Sequence, residues 1–332
     1  MFLGVDGGGT KTALCLLTGA GDLAGRAEVA GSYDPSGDPG RLTALLAEGV
    51  TAVCNQARTA PERIDYAFVA LPGYGEASRL LPLLDGLPAG VLGHQRYRCD
   101  NDMVAGWAGS FGGADGINVV SGTGSIAYGR HGATSARAGG WGELFGDEGS
   151  GYWVGRCALT AFSRMSDGRE PCTALYAAVR AEVAQDGVLT SDLDLLDVVL
   201  NQWSGSRSRI ARLSRLVAAA ADEGDDRARQ ILTESASELV LLVDAVRDRL
   251  GTADGVTLPV SYSGGLFRAR RVREAFVAEL AARSGAYVVQ EPRYEPVVGA
   301  ALYAAVLAGT PLDAAACQRL DGAARQRLDG AS

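Results

Sequence analysis

A carboxylate followed directly by a glycine-rich turn stands near the start of the chain. Asp6 ends a predicted β-strand, and a second predicted strand follows the turn. Gly8 and Gly9 let backbone N–H groups approach an anion closely, and Thr10 adds a hydroxyl donor. Lys11, the only lysine, comes next. The loop suits a magnesium-bound polyphosphate, with Asp6 holding the water shell of the metal. An ordinary hairpin with a glycine-rich turn is the alternative.

A second loop of the same kind occurs about 115 residues later. Gly122, Thr123 and Gly124 separate a β-branched apolar segment from a second one that begins at Ser125. A single glycine-rich loop is a weak signal. Two in corresponding places predict two related domains that face one nucleotide.

A third polar position is predicted where a strand meets a helix. The segment 97–100 predicts a short strand and 103–110 a helix, so Asp102 lies at their junction. Active sites of open α/β sheets gather at such strand ends. Asp102 is therefore a candidate for chemistry.

The most unusual stretch is 138–155, which holds seven glycines, two tryptophans and three carboxylates. Residues 147–150 predict a helix start with Asp147 near the N-terminus, where the helix dipole favours an acid. Trp141 lies between Gly140 and another glycine, and such an aromatic can serve as a platform for a sugar ring. An acidic first turn with tryptophan packing is the alternative.

Two further loops could line a binding mouth. Residues 31–40 are too rich in proline, glycine and aspartate for regular structure, and they form either a connector or part of a binding site. Gly264 and Gly265 follow a predicted strand, and a glycine pair at such a turn lets a flat ring lie against the backbone. A plain tight turn is the alternative there.

Bulk composition narrows the function classes. The 332 residues carry a formal net charge of −8 and a calculated pI near 5.0, which gives no support for nucleic-acid or membrane partners. No long apolar run or secretion signal is visible, so we expect a cytoplasmic protein. Only two histidines are present, and no two cysteines have CxxC spacing. Free thiols are therefore expected, without a zinc site or a disulfide framework.

The length and the repeated loop predict two domains, 1–115 and 116–332. Strands alternate with helices in both, which indicates an α/β fold. Residues 174–250 read as helix throughout, with breaks near 191, 205 and 224, and predict a helical insertion in the second domain.

These motifs together resemble the actin-like sugar kinase and ATPase superfamily. Within it, the chain is similar to the N-acetylglucosamine kinases and the BadF-type ATPases over nearly its whole length. The matching segments are DGGGTKT (6–12), NDMVAG (101–106), SGTGSIA (121–127), GGWGELFGDEGSGYW (139–153) and SGG (263–265). The segment 139–153 is the most specific of them.

The resemblance implies two ribonuclease-H-like domains with a central cleft, and a homodimer by analogy. It implies transfer of the γ-phosphoryl group of ATP to the 6-hydroxyl of N-acetylglucosamine or glucosamine. Asp102 would be the general base and Asp6 the magnesium residue. The two glycine loops would hold phosphates, and Gly264 with Gly265 would contact adenosine.

The resemblance also implies contacts to the sugar from Asp102, Thr123, Gly140, Trp141 and Asp147. Two departures concern the identity of the sugar. Asp34 falls where the family often has asparagine, and an acid there would suit the ammonium of glucosamine. Ala138 stands where a relative can carry cysteine.

Three other functions stay open. One is a BadF-type ATPase that drives electrons into a partner through a cluster held by cysteines, but none of the six lies beside the second loop. Another is a non-catalytic sugar sensor, which would usually add a DNA-binding segment. An actin-like chaperone or filament would be the third. P-loop and Rossmann motifs are not found.

Overall fold

The computed structural model describes residues 1–9, 11–32, 39–253, 255–283 and 285–329, and for 323–329 it describes the backbone alone. In chain order, the strands are β1 (Phe2–Gly7), β2 (Lys11–Leu17), β3 (Leu23–Ala30), β4 (Tyr66–Leu71), β5 (Tyr97–Asn101), β6 (Gly116–Ser121), β7 (Ser125–His131), β8 (Thr134–Gly139), β9 (Leu258–Ser263) and β10 (Tyr287–Val289).

The helices follow the same order along the described chain. They are α1 (Pro39–Ala57), α2 (Leu81–Leu92), α3 (Asp102–Phe111), α4 (Gly151–Ser166), α5 (Ala174–Val183), α6 (Asp194–Leu196), α7 (Arg207–Arg212), α8 (Ser214–Asp222), α9 (Asp226–Leu250), α10 (Arg270–Ala281), α11 (Pro296–Leu307) and α12 (Ala314–Asp329). A π-helical turn, Asp197–Gln202, follows α6.

The chain divides into two packed units, and this division corrects the predicted domain ranges. Residues Met1–Asp115 and the chain from Glu291 onward form the first unit, and Gly116–Gln290 form the second. The boundary after residue 115 is the predicted one. The second domain, however, was predicted to extend to 332. The reason for the difference is α11, which packs on β1 and α3 of the first unit.

Close backbone contact fixes α11 in the first unit. A Cβ atom at Gly4 of β1 would lie 2.3 Å from the Val297 carbonyl oxygen. A Cβ atom at Gly299 would lie 2.0 Å from the backbone nitrogen of Gly109 in α3. Both positions therefore require glycine, and the helix lies directly on its neighbours.

The sheet of the first unit has the order β3-β2-β1-β4-β5. β2 is antiparallel to both β1 and β3. β4 and β5 run parallel to β1. Asp6 is in register with Ala70 of β4, and Ala70 is in register with Asp100 of β5. The carboxyl ends of these three strands therefore meet at one edge, where Asp6 and Asp102 both lie.

The sheet of the second unit repeats this arrangement strand for strand. Its order is β10-β9-β6-β7-β8, with β7 antiparallel to β6 and with β9 and β10 parallel to it. β6 thus corresponds to β1, and the two glycine loops follow equivalent strands. The predicted internal repeat is confirmed. β8 was not predicted, because its polar sequence TSARAG lacks the apolar alternation of a buried strand.

The helical insertion of the second unit is confirmed between β8 and β9. Its helices pack their apolar faces into one core with the sheet, as shown by buried Val154, Val217, Leu239 and Val246. In the first unit, residues 72–77 form turns and Ser78–Leu80 a 3-10 turn. α2 follows at Leu81, where a proline in its first turn favours a helix start.

None of the six cysteines, all of which the structure describes, forms a disulfide bond. Cys15, Cys54 and Cys99 are buried, whereas Cys172 is exposed. Within the described ranges, no group of three or more histidine, cysteine, aspartate or glutamate side chains could hold a metal ion. None of the helices described combines the length and the apolar content that a membrane crossing requires.

Candidate active site

The first glycine loop leaves backbone donors unused. Gly8 accepts a hydrogen bond from the Ser32 N–H at 3.0 Å, which ties the loop to the segment after β3. Within the part of the chain that the structure describes, the N–H groups of Gly8 and Gly9 have no hydrogen-bond acceptor. Two adjacent N–H groups of this kind form an anion-binding concavity. Thr10 lies outside the described residues.

Lys11 is turned to the surface of the sheet. It opens β2, and its Nζ donates to Glu28 of β3 at 2.8 Å between two exposed side chains. Its predicted contact with a nucleotide stays a prediction. In this conformation, the Lys11 ammonium group forms an ion pair with Glu28.

Asp6 and Asp102 form a pair of partly buried carboxyl groups. Burial, together with the charge of Asp102, raises the pKa of Asp6 to about 7, although Lys11 opposes the shift. Burial, together with the charge of Glu76, raises the pKa of Asp102 to about 6, although the N–H of Met103 opposes it. Such raised carboxyl pKa values are typical of groups that accept a proton during catalysis.

Asn101 fixes the position of Asp102. It is buried, with 5% exposure, and it caps α3 by accepting a hydrogen bond from the Met103 N–H at 3.1 Å. Its Nδ2 donates to the carbonyl oxygen of Tyr74 at 3.1 Å. The Tyr74 hydroxyl in turn donates to Asp85 at 2.8 Å. The sequence motif located Asp102, but this support depends on a turn 27 residues earlier in the chain.

The pKa of Asp102 gives a prediction for stability. Asp102 keeps its proton up to about pH 6 in the folded protein, whereas an ordinary aspartate in the unfolded chain loses it near pH 4. Ionisation of Asp102 at higher pH therefore destabilises the folded state relative to the unfolded chain. Asp102→Asn should therefore raise the free energy of unfolding by about 1–3 kcal/mol at pH 8. The gain should shrink towards pH 4.5. Urea unfolding of both proteins at the two pH values measures it, and an equal gain at both would contradict the assignment.

The second glycine loop is tied to the start of α4. The Gly151 N–H donates to the Gly122 carbonyl at 2.8 Å, and the Tyr152 N–H donates to the Thr123 carbonyl at 3.2 Å. The Ser125 hydroxyl donates to the Glu148 carbonyl at 2.6 Å. The first two of these bonds use carbonyl groups of the loop. Among the described residues, no acceptor is found for the N–H groups of Thr123 and of Gly124, its neighbour.

Asp147 does not lie in the first turn of a helix, which corrects the prediction. α4 begins at Gly151 with Ser150 as its cap, and Asp147 lies in the preceding turn with a φ of 60°. Its side chain is 2% exposed. It accepts from the Ser125 N–H at 3.3 Å and from the guanidinium of Arg207. Burial raises the pKa of Asp147, and the positive charge of Arg207 opposes that shift.

Arg207 is a site residue that the sequence analysis missed. It opens α7 in the helical insertion, 60 positions after Asp147. No motif surrounds it, so only the folded structure brings it to the second loop.

The Trp141 side chain is exposed, as the predicted stacking on a sugar ring requires. Its side chain is 65% exposed, and the guanidinium of Arg137 lies 5.8 Å from its ring centre. Leu144 and Phe145 in the same loop are also exposed. The Gly140 N–H donates to the Ser125 carbonyl at 2.9 Å, so this loop begins beside the second glycine loop.

Gly264 fits against the end of β6. Its φ is 100°, and a Cβ atom there would lie 2.3 Å from the Ser121 carbonyl oxygen. Gly265, which follows, has open space where a side chain would be. The pair thus leaves bare backbone beside the second glycine loop.

The structure gathers the predicted residues in two groups, one in each unit. Asp6, Gly8, Gly9 and Asp102 share one edge of the first sheet. In the second unit, the loop 122–125 is joined by Gly140, Asp147 and Gly264. Asp34 lies outside the described residues.

The first unit also contains an open cavity of about 490 Å³ beside β5. Its lining includes Tyr74, Asp85, Tyr97 and Arg98, but neither Asp6 nor Asp102. It is therefore separate from the predicted site.

Comparison with known proteins gives consistent similarities. A family model described as the BadF/BadG/BcrA/BcrD ATPase family matches residues 3–304. The N-acetyl-D-glucosamine kinase of Dictyostelium discoideum is 30% identical over 278 residues, which are 80% of this chain and 85% of that protein. An N-acetylmuramic acid/N-acetylglucosamine kinase of Clostridium acetobutylicum is 38% identical over 178 residues, which are 51% of this chain and 56% of that protein.

Among solved structures, a provisionally assigned N-acetylglucosamine kinase from Chromobacterium violaceum matches with a TM-score of 0.72 and 25% identity. The match covers 92% of this chain and 98% of that one. With the two mixed five-stranded sheets, it confirms the predicted fold class, two α/β domains of the actin-like sugar kinase type.

Proposed function

We propose, from the premise that this chain belongs to the BadF/BadG/BcrA/BcrD ATPase family, that it is an ATP-dependent amino-sugar kinase. It would transfer the γ-phosphoryl group of ATP to the 6-hydroxyl of N-acetylglucosamine or glucosamine. The relatives from Dictyostelium and Clostridium support the sugar class. The observation that carries the chemistry is Asp102, a carboxyl group with a pKa of about 6 at the carboxyl end of the parallel strands.

Asp102 acts as the general base of this reaction. Its carboxylate accepts the proton of the 6-hydroxyl while the bond between O6 and the γ-phosphorus forms. The bond between that phosphorus and the bridging oxygen breaks, and ADP leaves with its electron pair. Asn101 keeps Asp102 in place through the cap of α3. Positioning and charge stabilisation supply most of the remaining catalysis.

The glycine loops hold the phosphates of ATP. The unused N–H groups of Gly8, Gly9, Thr123 and Gly124 are suited to phosphate oxygens. Gly264 and Gly265 contribute bare backbone for the adenosine. Lys11, Thr10 and Ser125 complete the proposed nucleotide contacts.

Asp6 fits a magnesium ion that keeps most of its water ligands. It is a single partly buried carboxylate beside N–H groups that suit phosphate, and magnesium usually binds to one or two carboxylates together with phosphates. When bound, the ion would neutralise phosphate charge. Asp6 would hold the water shell of the ion through its carboxylate oxygens.

The sugar contacts come from the second unit and from the loop after β3. Exposed Trp141 offers its ring to the apolar face of the sugar. Thr123, Gly140 and Asp147 are the proposed polar contacts of the second unit. Asp34 is the proposed selector between acetamide and ammonium.

A sugar panel tests this function. ADP release should require N-acetylglucosamine or glucosamine, and 6-deoxy-N-acetylglucosamine should give no turnover because it lacks the attacking oxygen. Phosphorus NMR of the product should show a 6-phosphate. Asp34→Asn should shift the preference towards N-acetylglucosamine. An unchanged preference would exclude Asp34 as the selector, and ADP release indifferent to every sugar would overturn the kinase.

The description of the family as ATPases favours one alternative, an ATPase, which we propose would activate a partner enzyme. It would hydrolyse ATP without any sugar. The no-sugar control of the same panel therefore separates the two functions.

A further inference from the structure

Arg207 of the helical insertion lies directly against the second glycine loop. A Cβ atom at Gly124 would lie 2.2 Å from Nη2 of Arg207, so the guanidinium occupies the space beside the bare backbone of the loop. The same Nη2 donates to the buried Asp147. Nε of Arg207 lies 3.5 Å from a carboxylate oxygen of Glu143.

Part of the Arg207 guanidinium makes no hydrogen bond to the protein, although Nε is ion-paired with Glu143. Nε of Arg207 is buried without a hydrogen-bond partner, and no hydrogen bond of Nη1 is found among the described residues. The unused N–H groups of Thr123 and Gly124 lie in the loop that it contacts. Two backbone donors and a guanidinium fork together match the oxygens of a phosphoryl group.

The backbone around Arg207 is held in place. Nε1 of Trp203 and the guanidinium of Arg209 both donate to Asp186, at 2.9 and 3.1 Å. Ile210, in the same helix, is buried in the core of the second unit. A preorganised cation needs little rearrangement when charge develops, which is the condition for strong electrostatic catalysis.

The net negative charge of the chain makes a local cation important for binding the anion ATP. The net charge is −8, and the only lysine, Lys11, is paired with Glu28. The anion ATP must therefore find its positive charge locally. Among the described side chains of the second unit, Arg207 is the cation whose contact with the glycine loop is established.

We propose that Arg207 is a further catalytic residue, which binds the transferred phosphoryl oxygens at the second glycine loop and neutralises their charge during transfer. This rests on the proposed kinase function. The bonds that form and break are those of the transfer to O6.

A competing explanation is that Arg207 serves only as the counter-ion of buried Asp147. Arg207→Met alone would leave that carboxylate unpaired and could disturb the fold. The Asp147→Asn background removes this complication, because an amide carries no charge there. Comparison of Asp147→Asn with the double variant therefore isolates any direct action of Arg207.

The experiment measures kcat/KM for ATP at saturating N-acetylglucosamine. In the Asp147→Asn background, adding Arg207→Met should lower kcat/KM by a further factor of about 100. The affinity for a non-hydrolysable ATP analogue, measured by calorimetry without sugar, should fall as well, whereas that for adenosine should not. Arg212→Met removes an exposed arginine from the same helix and should change neither.

The outcomes separate this inference from the proposed function. If the double variant matches Asp147→Asn in both measurements, Arg207 acts only through Asp147 and the inference is wrong. If the wild-type protein shows no sugar-dependent ADP release, the proposed function fails whatever the variants do, and the inference that rests on it falls too.

Discussion

Asp102→Asn should lower kcat by about 10²- to 10⁴-fold, because the variant cannot accept the proton of the attacking hydroxyl. The amide is isosteric with the carboxyl group, so the KM values for sugar and ATP should change little. Steady-state ADP release with N-acetylglucosamine measures the effect. A variant that retains more than a tenth of wild-type kcat would exclude Asp102 as the base.

Two controls accompany this prediction, the stability of Asp102→Asn and the activity of a variant at the neighbouring Asp100. The same variant should be more stable than the wild type at pH 8, which would separate lost chemistry from misfolding. Asp100→Asn is the matched substitution. Asp100 lies two residues earlier, and an amide there keeps an oxygen that can accept the Asn101 N–H. It should leave kcat within about twofold of wild type, since removal of a solvent-accessible charge away from the reacting atoms usually has small effects.

Gly299→Ala should lower the free energy of unfolding by about 2–4 kcal/mol. The new methyl group would lie 2.0 Å from the backbone nitrogen of Gly109, and backbone atoms of α3 cannot move aside as a flexible side chain can. α3 and α11 must therefore separate. Because α3 begins at Asp102, kcat should fall along with stability. Urea unfolding followed by circular dichroism, together with ADP release, measures both.

Gly90→Ala is the control for that substitution. Gly90 is exposed in α2, and a Cβ atom there meets nothing within 4 Å. Alanine should raise stability slightly, by up to about 1 kcal/mol, because it restricts the unfolded chain and favours helix. If Gly299→Ala is as stable as the wild type, the direct contact between α3 and α11 is not formed.

The elements that the sequence predicts well are those whose signals are local. β1 and β6 are short apolar segments closed by turn residues, and a glycine loop follows each of them directly. Asp102 was located because a strand and a helix meet there. The repeated loop predicted two related domains, and their sheets share one strand order.

The features that the sequence does not reveal depend on contacts between distant residues. Asp147 has the pattern of an acid in a first helical turn, yet its backbone has a positive φ and its partner Arg207 comes 60 positions later. The return of α11 to the first unit depends on Gly4 and Gly299, which look like ordinary small residues in the sequence. The polar strand β8 pairs through its backbone, which no side-chain pattern reports.

The interrupted first unit has a consequence for the order of folding during synthesis. Residues 116–290 form the second unit from one continuous stretch, whereas β1 must wait for α11 before its core is closed. A nascent chain can thus complete the later unit first, while the earlier sheet stays exposed. The half that carries Asp6 and Asp102 is then the last to mature.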